Sequence, residues 1–334
     1  MPFFDFPLDQ LREYKPDVKC PGDFEEFWTQ TLAESPGSAP LAVDHVDAQF
    51  SGISVFDVTI PGFEGEPVKA WFLRPENTQG PVPLIVEFAG YGGGRGLPEE
   101  HLTWPTLGYA VLVVDTRGQG GQWGSGGDTV DSGPTGPSSN GFMTRGIQSP
   151  ETYYYRRVFT DAANALATAR QLPGVDHSRV VASGGSQGAG IALAASALDK
   201  LRNPDFPVAG VMANVPFLSN FERAVGLTGG YPYQEIVDFL AVNRDQVDQV
   251  FDTLSYFDAV NMAKRIDAPS QFSVGLMDQI TPPSTVFAAH NWIGGPSEIE
   301  VYPFNGHESG GTYQLRKQRN WLGRLFGSET EAKD

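Results

Sequence analysis

The sequence predicts an α/β sandwich with a mostly parallel central sheet, helices on both faces and a helical insertion. Three observations lead to this prediction. Strand patterns alternate with helical patterns over most of the 334 residues. Several predicted strands are continuously apolar, which is typical of parallel sheets covered on both faces. No fixed-period repeat is visible, so solenoids and propellers are excluded and we expect one domain over residues 1–334.

The strands follow from apolar runs and their bounding turns. Imperfect alternation over 55–60, a turn at 61–65 and a strand pattern over 68–73 predict an N-terminal antiparallel hairpin. Continuous β-branched runs at 84–88 and 109–114 predict strands buried on both faces. The same reasoning predicts four later strands, at 179–183, 208–215, 272–276 and 298–304.

Helical spacing of apolar residues predicts a helix over 152–171, and further helices are expected at 189–198 and 313–325. The aromatic run 153–157 is compatible with a stacking platform, but the acidic net charge favours packing at a helix start. Residues 118–149 are rich in Gly, Ser, Pro and Asp and are interpreted as a long surface loop.

Residues 217–265 lack strand patterns and contain helical patterns, notably at 233–242 and 246–254. They are interpreted as an insertion that covers one end of the sheet.

Charge and cysteine content exclude several classes of protein. The chain has 23 Lys and Arg against 40 Asp and Glu, a net charge of −17, which disfavours nucleic acids and anionic membranes as partners. The single cysteine, Cys20, can form neither an intrachain disulfide nor a cysteine-based zinc site. The N-terminal residues lack a signal-peptide pattern and no apolar run approaches about 18 residues, so a cytoplasmic location is expected.

The strongest chemical signal is Gly184-Gly185-Ser186-Gln187-Gly188, which matches G-x-S-x-G between a predicted strand and a predicted helix. In this context the outer glycines permit a tight turn, and the serine hydroxyl is exposed at the carboxyl edge of the sheet as a nucleophile. The alternative is a glycine-rich turn with an idle serine. The strand-to-helix placement favours the nucleophile, Ser186.

A serine nucleophile needs a histidine base, and in hydrolases with this elbow the order along the chain is serine, acid, histidine. Of the five histidines only His290 and His307 follow Ser186. His290 falls inside a predicted helix. His307 lies in a loop just beyond the last predicted strand, where a base can reach over to the serine, so His307 is the predicted base.

The acid that orients this histidine must follow a late strand and precede His307. Asp278 comes directly after the apolar strand at 272–276 and is the predicted acid. Four other carboxylates fit less well. Glu298 and Glu300 lie within the last strand, Glu308 adjoins the histidine too closely to reach its ring, and Asp267 precedes its strand at the wrong edge.

Acyl-transfer chemistry also needs donors for an oxyanion. The backbone N–H of Gln187, directly after the serine, is one candidate, and that of Tyr91 in the glycine-rich loop 88–96 is the second. The glycine run also suggests a phosphate cradle, but it matches neither a P-loop nor G-x-G-x-x-G before a helix. Neither a metal motif nor any cofactor motif is found, so none is expected.

Several motifs together resemble the acetyl xylan esterase / cephalosporin C deacetylase family (carbohydrate esterase family 7). The resemblance rests on Arg117-Gly118-Gln119, the elbow around Ser186 and the pair His307-Glu308. It extends from about Pro7 to Phe326, with longer matching stretches at 115–120, 143–147, 152–161, 253–258 and 273–278.

The resemblance implies an α/β-hydrolase that removes acetyl groups from small substrates such as acetylated xylo-oligosaccharides and cephalosporin C. It implies the same roles for Ser186, His307 and Asp278, with Tyr91 and Gln187 as oxyanion donors. It further implies a structural role for Arg-Gly-Gln and a hexamer built as a trimer of dimers. The chain departs from the family at Ala89, where His-Gly-Tyr is usual.

Some alternatives stay open at this stage. The walls of the substrate pocket are expected near Tyr91 and the segment 215–217, with Pro216 as a candidate pocket residue. Another serine hydrolase of the same fold, such as a peptidase or a longer-chain carboxylesterase, competes with the deacetylase. A binding protein on a hydrolase scaffold is the alternative from a different class, and the retained Ser, Asp and His in hydrolase order argue against it.

Overall fold

The computed structural model describes residues 4–37, 39–131 and 141–327. Within these ranges the chain forms nine strands: β1 Ala42–Val46, β2 Ile53–Pro61, β3 Pro67–Pro75, β4 Val82–Phe88, β5 Ala110–Val114, β6 Val175–Gly185, β7 Gly210–Asn214, β8 Ser270–Gly275 and β9 Ser297–Tyr302. It forms eleven α-helices over the same ranges: α1 Leu8–Glu13, α2 Phe24–Glu34, α3 Thr103–Thr106, α4 Tyr154–Ala169, α5 Gln187–Arg202, α6 Phe221–Leu227, α7 Tyr233–Val242, α8 Val247–Ser255, α9 Ala259–Ala263, α10 Pro283–Trp292 and α11 Gly311–Phe326.

All the described strands join one sheet in the order β1-β2-β3-β5-β4-β6-β7-β8-β9. The strands β5, β4, β6, β7, β8 and β9 run parallel, and β2 and β3 form the predicted antiparallel hairpin. The predicted mostly parallel sheet is therefore confirmed. Strand β1 and helices α1 and α2 were not predicted, although Phe24, Phe27, Trp28 and Leu32 of α2 recur at helical spacing.

Alternate side chains of the buried strands pack on the two faces of the sheet. In β5, where all five residues are buried, Leu112 joins the cluster that contains α4 and α5. Its neighbours Val111 and Val113 join the cluster on the other face, with Trp321 and Leu322 of α11. Helices therefore cover both faces, which explains the continuous apolar runs in the sequence.

The prediction of a surface loop over 118–149 is wrong for part of the segment. Phe142, Met143 and Ile147 are fully buried, and the first two lie in a short 3-10 helix, Phe142–Thr144. These apolar residues pack into the core, which the glycine-rich composition of the segment as a whole concealed. Residues 132–140 of the predicted loop lie outside the described residues.

Two other predictions concern buried and exposed side chains. Tyr153, Tyr154 and Tyr155 are fully buried at the start of α4, so the aromatic run packs the core as predicted. Cys20 is a free, exposed cysteine. In the described part of the chain no helix has the length and apolar character that crossing a membrane requires.

Candidate active site

Ser186 lies on the turn between β6 and α5, at the carboxyl edge of the sheet. Its backbone has φ 56° and ψ −122°, a conformation that non-glycine residues rarely adopt and that is typical of a nucleophile on a strained turn. Close backbone contacts require glycine at the two positions that flank this turn, Gly184 and Gly188. A Cβ on Gly184 would lie 2.3 Å from the backbone of Gly188, and one on Gly188 would lie 2.0 Å from the carbonyl oxygen of Phe88.

His307 and Asp278 are joined directly, in loops after β9 and β8. His307 Nδ1 lies 2.8 Å from Asp278 Oδ2, and the aspartate is fully buried. The other carboxylate oxygen accepts the N–H groups of Ile280 at 2.8 Å and Thr281 at 3.1 Å. The hydroxyl of Thr281 donates to Oδ2 at 2.7 Å. The carboxylate therefore holds the imidazole with Nδ1 as donor and leaves Nε2 as the free base.

The competing residues are placed elsewhere. His290 lies in α10, where burial lowers the pKa of its imidazole. Glu298 and Glu300 are in β9, and Glu308 bonds within its own loop. Asp267 precedes β8 and pairs with a lysine of α5. The structure brings none of these groups to His307, whereas it does bring Asp278.

Ser186 and His307 line the same two pockets, which meet at the serine. The larger has a volume of about 460 Å³ and the smaller about 270 Å³. Tyr91 lines the smaller pocket and Val215 the larger one. Pro216 is buried and lines neither of them, so its role as a pocket residue stays a prediction.

The two predicted oxyanion donors lie on segments that pack against each other. Gln187 is the first residue of α5, and Tyr91 follows β4 in the loop that Gly188 contacts through Phe88. Neither backbone N–H has a hydrogen-bond acceptor among the described residues. Both amides therefore remain available to an acceptor at this edge of the sheet.

The side chain of Gln119 links the loop that carries Tyr91 to the start of α5. Its Oε1 accepts the backbone N–H of Gly92 at 2.7 Å, and its Nε2 donates to Gln187 Oε1 at 2.9 Å. Gln187 Nε2 in turn donates to the carbonyl oxygen of Ala89 at 3.2 Å. At Ala89 the contact is made through the backbone, so it does not depend on which side chain this position carries.

Arg117 of the same Arg-Gly-Gln motif is buried in an ion-pair cluster. Its guanidinium contacts Asp161 at 2.6 Å and Glu66 at 2.5 Å, and its carbonyl oxygen accepts the hydroxyl of Tyr154 at 2.5 Å. These contacts fix the loop that carries Gln119. The motif thus supports the site from below and touches neither pocket.

Tyr91 is anchored at both ends. Its hydroxyl donates to Glu235 Oε1 of α7 at 2.7 Å and accepts the N–H of Phe142 at 3.0 Å. Burial, together with the Glu235 carboxylate, raises the pKa of the Tyr91 phenol far above its usual value, so the phenol stays protonated and donates. The carbonyl oxygen of Tyr91 accepts Trp123 Nε1 at 2.7 Å.

The glycines around Trp123 are dictated by close backbone contact. A Cβ on Gly93 would lie 2.3 Å from the Trp123 ring, and one on Gly94 would lie 2.3 Å from the carbonyl oxygen of Gly126. The glycine run therefore lets two loops pack backbone against backbone, and this contact accounts for a pattern that suggested a phosphate cradle.

Sequence reasoning missed three residues of this site. Thr281 lies three positions after Asp278, and that spacing could have suggested a side-chain bond within the turn. Trp123 is a large apolar residue in a glycine-rich segment, which is also a detectable signal. Glu235 gives no local signal, because it is 144 residues from Tyr91.

The fold and the site together define the class. A strained serine after a central parallel strand, with a histidine and a buried aspartate after the last two strands, is the arrangement of α/β-hydrolases. The described residues contain no group of three or more His, Cys, Asp or Glu able to hold a metal ion.

The particular family follows from comparison with known proteins. The sequence profile of the acetyl xylan esterase family matches residues 1–325. The acetyl xylan esterase from Paenibacillus sp. R4 is 36% identical, with a TM-score of 0.86 over 96% of this chain and 99% of that chain. Acetyl xylan esterase 1 from Thermoanaerobacterium sp. JW/SL YS485 is 36% identical, with a TM-score of 0.84 over 97% of this chain and 100% of that chain.

A curated relative, acetyl esterase Axe7A from Xylanibacter ruminicola, is 26% identical over 298 residues, or 88% of this chain. The chain spans 65% of the length of that relative. The chain belongs to the acetyl xylan esterase family, whose members are carboxylic ester hydrolases. The resemblance drawn from the motifs is thereby confirmed.

Proposed function

We propose that this protein is a serine esterase that removes acetyl groups from small substrates, including acetylated xylo-oligosaccharides and cephalosporin C. The observation that carries the proposal is the 2.8 Å contact between the buried Asp278 and His307, which lines the same two pockets as Ser186. Membership of the acetyl xylan esterase family supports the choice of an acetyl ester.

In this mechanism Ser186 Oγ attacks the acetyl carbonyl carbon while His307 Nε2 takes its proton. Asp278 holds the imidazole orientation and stabilises the imidazolium. The backbone N–H groups of Tyr91 and Gln187 bind the oxyanion, and loss of one such donor typically costs about 10²–10³ in kcat.

The second half of the reaction returns the serine. His307 passes its proton to the leaving alcohol, which departs, and the acetyl group stays on Ser186. Water then attacks this acyl-enzyme with His307 as the base, and His307 returns the proton to Ser186 Oγ as the bond to the acetyl group breaks and acetate is released. The chain's own residues supply each of these roles, and the proposal includes no cofactor.

Location and assembly are proposed on separate grounds. A single exposed cysteine fits a reducing, cytoplasmic compartment. A hexamer built as a trimer of dimers is proposed from the family resemblance, and light scattering of the purified protein would test it.

The test of the activity is hydrolysis of 4-nitrophenyl acetate, butyrate and octanoate by the purified protein beside Ser186→Ala. We expect strong turnover of acetate, a collapse at butyrate and loss of turnover in the variant. A preference for the longer chains would instead make it a general carboxylesterase. No turnover by the folded protein would leave the peptidase if a phosphonate still labels Ser186, and the binding protein if it does not.

A further inference from the structure

The two pockets beside Ser186 differ in the side chains that line them. Gly90, Trp123, Ser186 and His307 line both. The smaller is otherwise lined by Gln122 and by the apolar and aromatic groups of Tyr91, Tyr231, Pro232 and Ile280. The larger adds five polar side chains: Asn214, Glu308, Ser309, Gln314 and Gln318. An ester substrate has an apolar acyl part and an alcohol part. The difference in lining suits the smaller pocket to the acyl part and the larger pocket to the alcohol part.

Asn214 has a fixed orientation beside the serine. It is the last residue of β7, and its carbonyl oxygen accepts the N–H of Ser186 at 2.9 Å. Its Oδ1 accepts three hydrogen bonds, from Ser273 Oγ at 2.9 Å, Gln314 Nε2 at 3.1 Å and Gln318 Nε2 at 3.2 Å. Its Nδ2 has no partner in the part of the chain that the structure describes, so the side chain offers an N–H donor in the larger pocket.

Two of the three partners of Asn214 are themselves held in place. Gln314 and Gln318 lie one turn apart on α11 and are 3% and 4% exposed. Gln314 Oε1 also accepts the hydroxyl of Tyr302 at 3.0 Å. The amide cluster is therefore rigid, and a ligand that uses the free N–H of Asn214 meets a donor that needs no reorientation.

Trp123 is the one large aromatic side chain among the described residues that line both pockets. Its ring packs on Gly93, its Nε1 donates to the carbonyl oxygen of Tyr91, and 53% of the residue is nevertheless exposed. With the polar atom satisfied, the exposed indole surface is apolar. The C–H face of a pyranose packs well on such a surface while its hydroxyls bond to nearby amides.

The charge of the larger pocket disfavours anions. Hydrogen bonds from Asn305 and from backbone N–H groups lower the pKa of the Glu308 carboxyl, so it is charged at neutral pH. The described residues that line the two pockets include neither lysine nor arginine. An uncharged alcohol part therefore fits this pocket better than one that carries carboxylates.

We infer that the larger pocket is a sugar subsite, in which a pyranose stacks on Trp123 and accepts a hydrogen bond from Asn214 Nδ2. The smaller pocket is left for the acyl group. This inference rests on the proposed esterase function and adds that the enzyme prefers acetylated sugars to the anionic cephalosporin C.

Asn214→Asp is the sharpest test, because Oδ1 can keep its three hydrogen bonds while the N–H donor becomes an acceptor. Asn77→Asp adds the same charge on a turn after β3, at the opposite edge of the sheet, and is the matched control. The kcat/KM values are measured for acetylated xylobiose and for 4-nitrophenyl acetate, which share the acetyl group.

With Asn214→Asp we expect kcat/KM for the sugar ester to fall about tenfold, mainly through KM, while that for the aryl ester stays within about threefold. The control should change neither. Equal losses on both esters would show that Asn214 only supports the serine, and no loss on the sugar ester would remove it from the subsite. Either result overturns the inference.

Trp123 is tested with two variants that separate its two contacts. Trp123→Phe loses the bond to Tyr91 but keeps an aromatic ring, whereas Trp123→Leu loses both. We expect a loss shared by both esters in the two variants and an additional loss of about tenfold, confined to the sugar ester, in Trp123→Leu. The same sugar-to-aryl ratio in both variants would contradict stacking.

The wild-type protein separates failure of the inference from failure of the proposed function. Turnover of 4-nitrophenyl acetate without turnover of acetylated xylobiose, or with cephalosporin C as the better substrate, would overturn the sugar subsite alone. Failure on every acetyl ester would overturn the esterase itself. Glu308→Gln should raise kcat/KM for cephalosporin C relative to that for the sugar ester, and an unchanged ratio would contradict the role given to the charge of this pocket.

Discussion

The contact between Glu235 and Tyr91 leads to a quantitative prediction about the oxyanion loop. The buried Glu235 carboxylate accepts the Tyr91 hydroxyl at 2.7 Å and the N–H groups of Gly141 at 3.0 Å and Met143 at 3.1 Å. Glu235→Gln removes the charge while keeping the shape of the side chain. The Nε2 of the new glutamine must then face one of these donors, which loses its acceptor. Tyr91→Phe removes the hydroxyl and leaves the Phe142 N–H without its acceptor.

Hydrogen bonds to a charged group are worth about 1.5–3 kcal/mol each. We therefore expect each single variant to lower the free energy of unfolding by about 2–3 kcal/mol. The double variant should fall short of the sum by about 1.5–3 kcal/mol, because both substitutions remove the same contact. Since a lost oxyanion donor costs about 10²–10³ in kcat and here the donor is only loosened, we expect kcat to fall about tenfold with little change in KM.

The assay is urea unfolding of the four proteins of this cycle, together with steady-state hydrolysis of 4-nitrophenyl acetate. Asp238→Asn is the matched control, because it removes the same charge from an exposed position on the same helix, α7. A coupling energy below about 0.5 kcal/mol would refute the reasoning. So would a kcat for Glu235→Gln equal to that of the control.

Three further predictions concern the support of the site. Thr281→Val removes a donor to Asp278 and should lower kcat for 4-nitrophenyl acetate about tenfold at unchanged KM, and Thr281→Ser should restore it; equal kcat in all three proteins would contradict this role. Arg117→Met leaves Asp161 buried without its cation and should cost about 3–5 kcal/mol in urea unfolding, whereas a loss below about 1 kcal/mol would show that the cluster is not needed. Gly188→Ala places a Cβ against Phe88 and should destabilise the protein by more than about 1 kcal/mol, measured in the same way, while Gly226→Ala, with open space around it, should not.

The central strands and the groups around Ser186 were predictable because their signals are local. Continuous apolar runs mark strands such as β4 and β5, and glycine spacing marks the turn at Ser186. Chain order then left two histidines, and position after a strand separated His307 from His290 and Asp278 from its competitors. In the structure His307 Nδ1 lies 2.8 Å from Asp278 Oδ2.

The order of the strands and the supports of the site were not predictable in this way. Strand β5 lies between β3 and β4, a placement that depends on pairing over long distances. The contacts of Glu235 with Tyr91 and of Gln314 with Asn214 span 144 and 100 residues. A single sequence holds no period or spacing that reports such pairs, because only the folded sheet brings them together.

The tight contact of the two glycine-rich loops limits how the substrate range of this protein can diverge. Positions such as Gly93 and Gly94 accept no side chain, since a single methyl would meet the Trp123 ring or the backbone of Gly126 at 2.3 Å. One wall of the site is thus closed to variation by point mutation. New specificities must arise at other lining positions, such as Tyr231, Ile280 or the residues of α11, and a library aimed there should yield more active variants than one aimed at the glycines.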